Sequence, residues 1–348
     1  MPGESPSTVV TGAVMIQQPI SIARNTFVES IRQPIYVVLL LLGGVSLVLN
    51  QSLAAYTLSD DNKMLVDMGL STLFLVGLLL AIFTASGVLN REVENKTVLT
   101  VISKPVSRPL FIVGKFLGVA TALSVAYWVL MLVFLLTVRH KVMQRASDAF
   151  DGPVIIFGVL ALVLALIGAA TSNYLYRRVF TSTFVGAFAV LLTLAMVMVL
   201  FIDKQWRFQS PFVDLDPQLL IALLFVFEAV IVLAAIAIAC STRLGQVMTL
   251  VICTVVFVLG LVGHFFAAES AKALANAEGS IGHQLVYAVA HVIKLVMPNL
   301  QYLWQADALS MGHPISSGHV LLVSLYGGLY ALAALALAVA LFQTREVG

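Results

Sequence analysis

Charged side chains are concentrated in one stretch, residues 91–118, with the sequence REVENKTVLTVISKPVSRPLFIVGKFLG. It carries seven charges and lies between two long apolar runs. A connection between two helices needs only about two to eight residues, so we expect this segment to contact a further surface. The alternative is a solvated basic loop that only sets membrane topology. Pro105 and Pro109 predict a turn, and a short helix before it would have an apolar side formed by Val93, Val98, Leu99, Val101 and Ile102.

The sequence lacks the motifs that would give this chain ATPase, hydrolase or metalloprotease chemistry. Its Gly114-Lys115 pair is followed by Phe116 and does not fit the GxxxxGK[ST] loop that holds phosphates. GxSxG, HExxH and CxxC patterns are also absent. Cys240 and Cys253 fall at or inside apolar runs, which favours free thiols. We therefore predict no catalytic residue, no metal site, no cofactor bound by this chain and no nucleic-acid partner.

The composition explains why the charges are confined to short stretches. Apolar residues make up 60% of the chain and charged residues 10%, against roughly 45–50% and 25% in soluble domains. Crossing about 30 Å of hydrocarbon takes on the order of 20 apolar residues in a helix, whereas barrel strands alternate apolar and polar residues. We predict an all-α, polytopic transmembrane helical bundle with about eight spans, at residues 35–55, 66–89, 110–137, 154–173, 181–202, 218–240, 246–267 and 318–342.

Glu228 is an acidic residue well inside one of these spans. The helical rise places it roughly 15 Å from the outer end of the span. A charge at such a depth costs about 2.5–3.5 kcal/mol on insertion scales, so we expect Glu228 to face protein or a watery cavity, or to be protonated. A pathway residue and a structural hydrogen-bonding acid are both consistent with this position.

The segments outside the spans have distinct patterns. Residues 1–19 are expected to form a flexible N-terminal tail, and residues 20–348 one transmembrane domain. Residues 20–33 predict an amphipathic elbow helix in the membrane interface, or alternatively a cytoplasmic extension of the first span. The long outer loop, residues 268–317, is expected to contain an amphipathic helix at 283–297. The apolar face of the elbow helix consists of Ile20, Ala23, Phe27, Val28 and Ile31.

Positive charges determine the predicted orientation. With both termini in the cytoplasm, eleven cations face inward against five anions, as the positive-inside rule requires. The loop after the third span departs from the rule because it places Arg139, Lys141 and Arg145 outside. The inward cations are Arg24, Arg32, Arg91, Lys96, Lys104, Arg108, Lys115, Arg177, Arg178, Arg243 and Arg345.

Several segments resemble ABC-2-type transporter permeases. In that family a Glu, a Thr-Leu pair, Ser-Lys-Pro-Val-Ser-Arg and Gly-Lys-Phe-Leu-Gly recur in the corresponding loop. The resemblance extends to the amphipathic helix at 20–33 and to the segments CSTRLGQVMTLVICTVVFVLG, MPNLQYLWQAD and FQTREVG. The matching loop positions are Glu94, Thr97, Val98, Leu99, residues 103–108 and residues 114–118.

The resemblance implies that this loop is a coupling helix seated on a separate cytoplasmic ATPase subunit, which would bind ATP and Mg²⁺. A second permease copy, identical or not, would complete the pathway. Family members commonly have six spans, so the pair at 154–202 looks like an insertion. The ATPase contact would lie within residues 92–108 and include Glu92, Glu94, Lys96, Thr97, Leu99, Ser103, Lys104, Pro105, Ser107 and Arg108.

We therefore predict the permease subunit of an ABC transporter in the cell membrane, coupling ATP hydrolysis by its partner to export or to mechanical transmission. Some relatives pass force to an outer protein, which makes an outer-side accessory protein a further candidate partner. The alternative is an ATP-independent secondary transporter or channel, which would need charges or broken half-helices in matched positions of two repeats. An intramembrane enzyme would need a nucleophile and a base within the spans.

Overall fold

The computed structural model describes residues 7–55, 61–94, 107–143, 150–211, 213, 215–276, 281–312 and 314–344. These residues fold into α-helices joined by short connections, with one 3-10 turn at Leu300–Leu303, and the all-α prediction is confirmed. The helices are α1 (Ser7–Arg32), α2 (Pro34–Ala54), α3 (Asp61–Glu94), α4 (Arg108–His140), α5 (Gly152–Tyr176), α6 (Phe180–Phe201), α7 (Pro217–Ser241), α8 (Gln246–Asn276), α9 (Ile281–Val296), α10 (Ala306–Ser310) and α11 (Ser317–Gln343).

Eight helices in the described ranges, α2 to α8 and α11, are long and apolar enough to cross a membrane. The predicted number of spans is therefore confirmed. Several helices are longer than their predicted spans, and α3 in particular extends from Asp61 to Glu94. A helix satisfies its backbone hydrogen bonds in water as well as in lipid, so it continues past the apolar run that hydropathy detects.

Local sequence signals determine where two of the spans begin. Asp151 accepts a hydrogen bond from the Val154 amide (3.3 Å) before α5, and Asp216 accepts one from the Gln218 amide (2.9 Å) before α7. In both helices a proline occupies one of the first two positions. An aspartate cap followed by proline is a strong helix start, because the cap satisfies a free amide and proline needs no amide partner there.

Contacts between helix termini identify two ends of the bundle. At the end where α4 begins, here termed the proximal end, Arg108 donates to the Gln343 carbonyl in the last turn of α11 (2.5 Å). At the opposite, distal end, Gln51 near the end of α2 donates to the Lys141 carbonyl just after α4 (2.6 Å). The first span thus starts, and the last span ends, at the proximal end.

The centre of the bundle is formed by α3, α4 and α7. Phe74, Phe134 and Phe225, one from each helix, are fully buried. The hydroxyl of Tyr127 on α4 donates to the Leu223 carbonyl of α7 (2.6 Å), which joins two of these helices within the core. The other spans surround this centre, and α5, α8 and α11 expose many of their large apolar side chains, as expected of helices that face lipid or another membrane chain.

The N-terminal helix is longer than the sequence predicts. The expected elbow helix at 20–33 is the C-terminal part of α1, and the expected flexible tail at 1–19 is helical from Ser7 onward. Residues 7–18 contain no proline, but six of them are β-branched and one is glycine, so intrinsic propensity does not predict this extension. Pro19 lies inside the helix.

Two glycines of α4 allow α1 to approach closely. A Cβ atom added to Gly118 would lie 2.5 Å from the carbonyl oxygen of Ala23 and 2.5 Å from the Cβ atom of Thr26. A Cβ atom added to Gly114 would lie 2.9 Å from the Cβ atom of Ile22. Small residues four positions apart are a common means of close packing between membrane helices. The Gly-Lys-Phe-Leu-Gly motif therefore has a packing role.

The side of α1 that packs on α4 only partly coincides with the predicted apolar stripe. Ile31 is buried, but Ile20 is 60% exposed, and the fully buried residues are Thr26 and Ser30. Ser30 donates its hydroxyl to the Thr26 carbonyl (2.8 Å), whereas the buried Thr26 hydroxyl has no hydrogen-bond partner within the described residues. Close approach over glycines favours short side chains, so these hydroxyl residues occupy the contact.

Replacing Gly118 with leucine is expected to push α1 away from α4 and to lower the melting temperature of the purified protein. Overpacking a close contact costs about 1–3 kcal/mol. Gly186→Leu in α6 is the matched control, because an added Cβ atom there meets nothing within 4 Å. Thermal unfolding in detergent measures both variants, and equal melting temperatures would contradict the packing role of Gly118.

At the distal end, Arg139 is buried among helix termini. Its Nε atom lies 3.4 Å from Oδ2 of Asp151. Its guanidinium also donates to the carbonyl oxygens of Val199 and Ile202 at the end of α6. An anion at a helix N-terminus and a cation at a helix C-terminus are both electrostatically favourable. The Arg139 side chain therefore joins the end of α4 to the start of α5 through its ion pair with Asp151, and to the end of α6 through two carbonyl groups.

This ion pair explains why the loop after α4 departs from the positive-inside rule. Arg139 is neutralised by a buried aspartate and does not act as a free loop cation. His140 is also buried, with Nδ1 2.6 Å from Nε2 of Gln51. Arg145 lies outside the described residues. The cationic character of this loop is thus smaller than its sequence indicates.

Asp151→Asn is expected to destabilise the protein by about 3 kcal/mol, because it leaves the Arg139 charge buried without its partner. Asp216→Asn is the matched control, since Asp216 also caps a proline-containing helix start but is exposed to solvent. Asparagine caps helices as well as aspartate does, so the control isolates the ion pair. Chemical denaturation in detergent measures the unfolding midpoint of both variants. Equal midpoints would contradict a stabilising role of the ion pair.

The distal segment between α8 and α11 contains α9, close to the helix predicted at 283–297. Leu285, Val289 and Val292 on the apolar side of this helix are more than half exposed, whereas Ile293 faces α8, 3.7 Å from a Cβ atom added to Gly263. The chain after α9 packs tightly on α8, because a Cβ atom added to Gly260 would lie 2.7 Å from the Pro298 carbonyl oxygen. Leu300 and Leu303 then enter the core.

Candidate functional site

The segment predicted to contact an ATPase is only partly within the described residues. Glu92 and Glu94 belong to the last turn of α3, and their side chains are not described. Ser107 and Arg108 are described and form the start of α4. The remaining predicted residues lie outside the described part of the chain: Lys96, Thr97, Leu99, Ser103, Lys104 and Pro105.

The helices on either side of this segment meet the C-terminal end of α1 at the proximal end. A Cβ atom added to Gly87 of α3 would lie 2.9 Å from Oε1 of Gln33, which directly follows α1. Arg32, the last residue of α1, accepts a hydrogen bond at its carbonyl from Thr181 of α6 (3.3 Å). The C-terminal part of α3 and the start of α4 therefore lie in a part of the bundle where α1 and α6 also converge.

Arg108 binds the last turn of α11. Ser107 before it has extended backbone angles (φ −68°, ψ 138°), and Pro109 follows, which starts α4 sharply at this position. The Arg108 Nη1 atom donates to the Gln343 carbonyl (2.5 Å). The last carbonyls of a helix have no partner within the helix and carry partial negative charge, so a guanidinium is a suitable partner for them.

A second arginine binds the same helix end from another direction. Arg243, in the turn between α7 and α8, donates from Nε to the Leu341 carbonyl (2.9 Å) and from Nη2 to the Thr344 hydroxyl. We term Arg108, Arg243 and the last turn of α11 (residues 341–344) the arginine clamp. It brings together three parts of the chain that are far apart in sequence.

Aromatic stacking supports the clamp from within the bundle. Phe111 of α4 and Phe342 of α11 stack with their ring centroids 5.5 Å apart, and both side chains are buried. Lys115, one turn further along α4, is only 3% exposed, and its Nζ atom lies 5.6 Å from the centre of the Phe111 ring. Lys115, counted among the inward cations, lies within the predicted span 110–137 and is part of the packed helix.

Glu228 lies half-buried on α7, where α7 packs against α11. The Ser324 side chain of α11 lies beside its carboxyl group. A Cβ atom added to Gly327 of α11 would lie 3.8 Å from Oε2 of Glu228. Within the described residues Oε2 has no hydrogen-bond partner. The carboxyl group thus faces protein, as the cost of burying a charge in lipid requires, and retains an acceptor for a ligand or water.

A cavity of about 370 Å³ lies between α3, α8 and the chain that follows α9. Phe74 packs edge-on against Phe257 (4.8 Å between ring centroids) and stacks on Trp304 (5.8 Å) in its wall. Ser71 and Gln301 contribute polar groups, and the described lining residues carry no charge. Such a lining suits a neutral, largely apolar group that makes one or two hydrogen bonds.

The described residues do not bring together three or more His, Cys, Asp or Glu side chains that could hold a metal ion. Cys240 and Cys253 are both free thiols. His319 has Gln305 as a polar neighbour, with 3.3 Å between their Nε2 atoms, so it makes a protein contact of the ordinary kind.

Comparison with protein-family models matches residues 13–207 to a family described as ABC-2 family transporter protein. The match covers more than half of the chain and extends from α1 through α6. With its eight apolar helices, the protein is therefore an integral, multi-pass membrane protein of the permease class. The chain belongs to the ABC-2 transporter family. A search of curated proteins finds no match.

The range matched to the family contains two segments for which the sequence made a prediction. It includes the charged segment at 92–108, whose motif suggested the family, and it also includes α5 and α6, the pair of helices that looked like an insertion. Members of this family are membrane subunits that work with separate ABC ATPases. The family therefore supports an ABC transporter permease without an ATPase site of its own.

Sequence reasoning missed most of the contacts that organise the two ends. The Asp-Gly-Pro run at 151–153 is a recognisable helix start, and it could have identified Asp151 as a cap rather than a loop anion. No comparable signal points from Arg243 to Leu341, which is 98 residues away. Contacts of this kind depend on how the spans are arranged.

Proposed function

We propose that this chain couples ATP hydrolysis by cytoplasmic ABC ATPase subunits to export or mechanical transmission across the cell membrane. The observation that carries this proposal is the position of the charged 92–108 segment in a chain of the ABC-2 family. Its two flanking helices meet α1 and the arginine clamp at the proximal end. A partner bound there would have direct mechanical access to four helices of the bundle.

In this proposal the proximal end faces the cytoplasm of a cell whose inner or plasma membrane contains the protein. ATP and Mg²⁺ bind the ATPase subunits, and a second permease copy, identical or different, completes the assembly. Closure of the ATPase pair would push on residues 92–108 and reorient the spans as rigid bodies between two packings. Lipid covers the exposed apolar faces of the outer spans.

Glu228 is the proposed pathway residue. It is a half-buried acid within a span, and one of its carboxyl oxygens has no partner in the described residues. Its position between α7 and α11 means that a shift of either helix would change the surroundings of its carboxyl group. The distal helix α9 would cover the outer side of this pathway, where an accessory protein could also bind.

Site-specific crosslinking tests the ATPase contact. A photoreactive amino acid in place of Leu99 is expected to form an adduct with an ABC ATPase, identified by mass spectrometry through peptides that contain its phosphate-binding loop. The same label in place of Phe208, which is 92% exposed at the distal end, should form no such adduct. Leu99 is chosen because it is an apolar residue in the middle of the predicted contact segment 92–108.

An adduct at Phe208 instead of Leu99, or transport by the purified chain without any ATPase, would overturn the proposal. Transport by the isolated chain would support the alternative of an ATP-independent secondary transporter or channel. The family membership of the chain favours the ATP-dependent function.

A further inference from the structure

We propose that the arginine clamp transmits movement from the 92–108 segment to α11, and that α11 carries it to Glu228 and to the distal segment. This inference rests on the proposed function, because it specifies how a partner at the proximal end would act on the spans. It assigns a positioning role to Arg108 and Arg243. Neither residue would need to touch a transported substrate.

The first step is the direct bond between the charged segment and α11. Arg108 is the last residue of the predicted contact segment and the first residue of α4. Its hydrogen bond to the Gln343 carbonyl crosses 235 positions of sequence. A push on the segment therefore reaches the base of α11 through one side chain, without passing through the core of the bundle.

The second step is the way α11 is held. Its side chains are largely exposed along the span, with Leu325 and Leu329 more than half exposed, so its packing within the chain is limited mainly to α7. At its base, Arg243 and the stacked Phe111–Phe342 pair hold it from two further sides. Within the described residues α11 thus packs mainly along α7, and at its base it is bonded to the start of α4 and to the turn between α7 and α8. A displacement of α4 at this end therefore acts on α11 directly.

The third step is the set of contacts that α11 makes between its middle and the distal end of the bundle. Ser324 lies beside Glu228, halfway along α7, and a Cβ atom added to Gly327 would lie 3.8 Å from its Oε2 atom. The Tyr326 hydroxyl accepts from the Asn299 amide (2.7 Å), and the Tyr330 hydroxyl donates to the Val296 carbonyl (2.7 Å). Displacement of α11 would therefore change the surroundings of Glu228 and pull on the chain at the end of α9.

The polar contacts at the distal end are more deeply buried than those of the arginine clamp. Arg139 and Asp151 are buried and paired there, whereas Arg243 is exposed and Arg108 partly exposed. Exposed hydrogen bonds exchange with water at low cost, and buried ion pairs do so at high cost. The clamp can therefore adjust during a conformational cycle while the contacts among α4, α5 and α6 stay fixed.

The experiment uses the permease assembled with its ATPase in lipid nanodiscs, with Cys240 and Cys253 replaced by alanine. Spin labels at Leu321, at the distal start of α11, and at Phe208 report their separation by pulsed electron paramagnetic resonance. Both positions are highly exposed. The parent complex is expected to change this separation between the nucleotide-free and ATP-trapped states.

The double variant Arg108→Gln and Arg243→Gln is expected to lose most of the change. Arg243 lies outside the predicted ATPase contact, so the single variant Arg243→Gln should still bind the ATPase and should lose part of the change. The matched control is Arg178→Gln, which removes an equal charge per site from an exposed arginine between α5 and α6, at the same end of the bundle. It should retain the full change. Persistence of the change in the double variant would overturn the inference.

A covalent clamp provides a second test that does not depend on the stability of the double variant. Arg108→Cys and Thr344→Cys joined by a short bifunctional thiol reagent should retain the ATP-dependent change, because the two elements move together. Loss of the change on crosslinking would contradict this. Failure of the parent chain to bind any ABC ATPase would instead contradict the proposed function, so the two failures are distinguishable.

Discussion

Hydrocarbon accepts neither unpaired charges nor unsatisfied backbone groups, and the whole structure depends on this constraint. It requires continuous helices through the membrane and confines charge to their ends or to buried pairs. The described chain follows both requirements, with eight apolar helices and with Arg139 and Asp151 paired where they are buried. Glu228 is an acid that remains within a span, and it turns its carboxyl group toward α11.

The same constraint makes the two ends of the bundle different. At the distal end, a buried ion pair joins three helix termini, and breaking it would leave a charge in a medium of low polarity. At the proximal end, two partly or fully exposed arginines bind the carbonyl groups that end α11. A rigid distal end and an adjustable proximal end are consistent with the proposed function, in which a partner acts on the proximal end. The close contact of α1 with Gly114 and Gly118 packs the N-terminal helix against the start of α4.

The fold was largely predictable because hydropathy records the dominant force directly. Apolar length and the exclusion of charge identified all eight spans, and the loop motif identified the family. The start of α1 was missed because residues 7–18 are neither apolar enough for a span nor strongly patterned, and their β-branched residues and glycine have low helix propensity. The packing side of α1 was misjudged because glycines on α4 select the small residues Thr26 and Ser30. The site was less predictable, since nothing near Arg108 or Arg243 in the sequence shows that both bind the end of α11.

The central claim is that the 92–108 segment projects from the cytoplasmic end of the bundle, and thiol labelling in intact cells tests it most directly. A cysteine in place of Ser103 is expected to react with a membrane-impermeant maleimide only after the cells are opened, and a cysteine in place of Phe208 should react from outside. Labelling of the Ser103 position in intact cells, with Phe208 protected, would contradict the account.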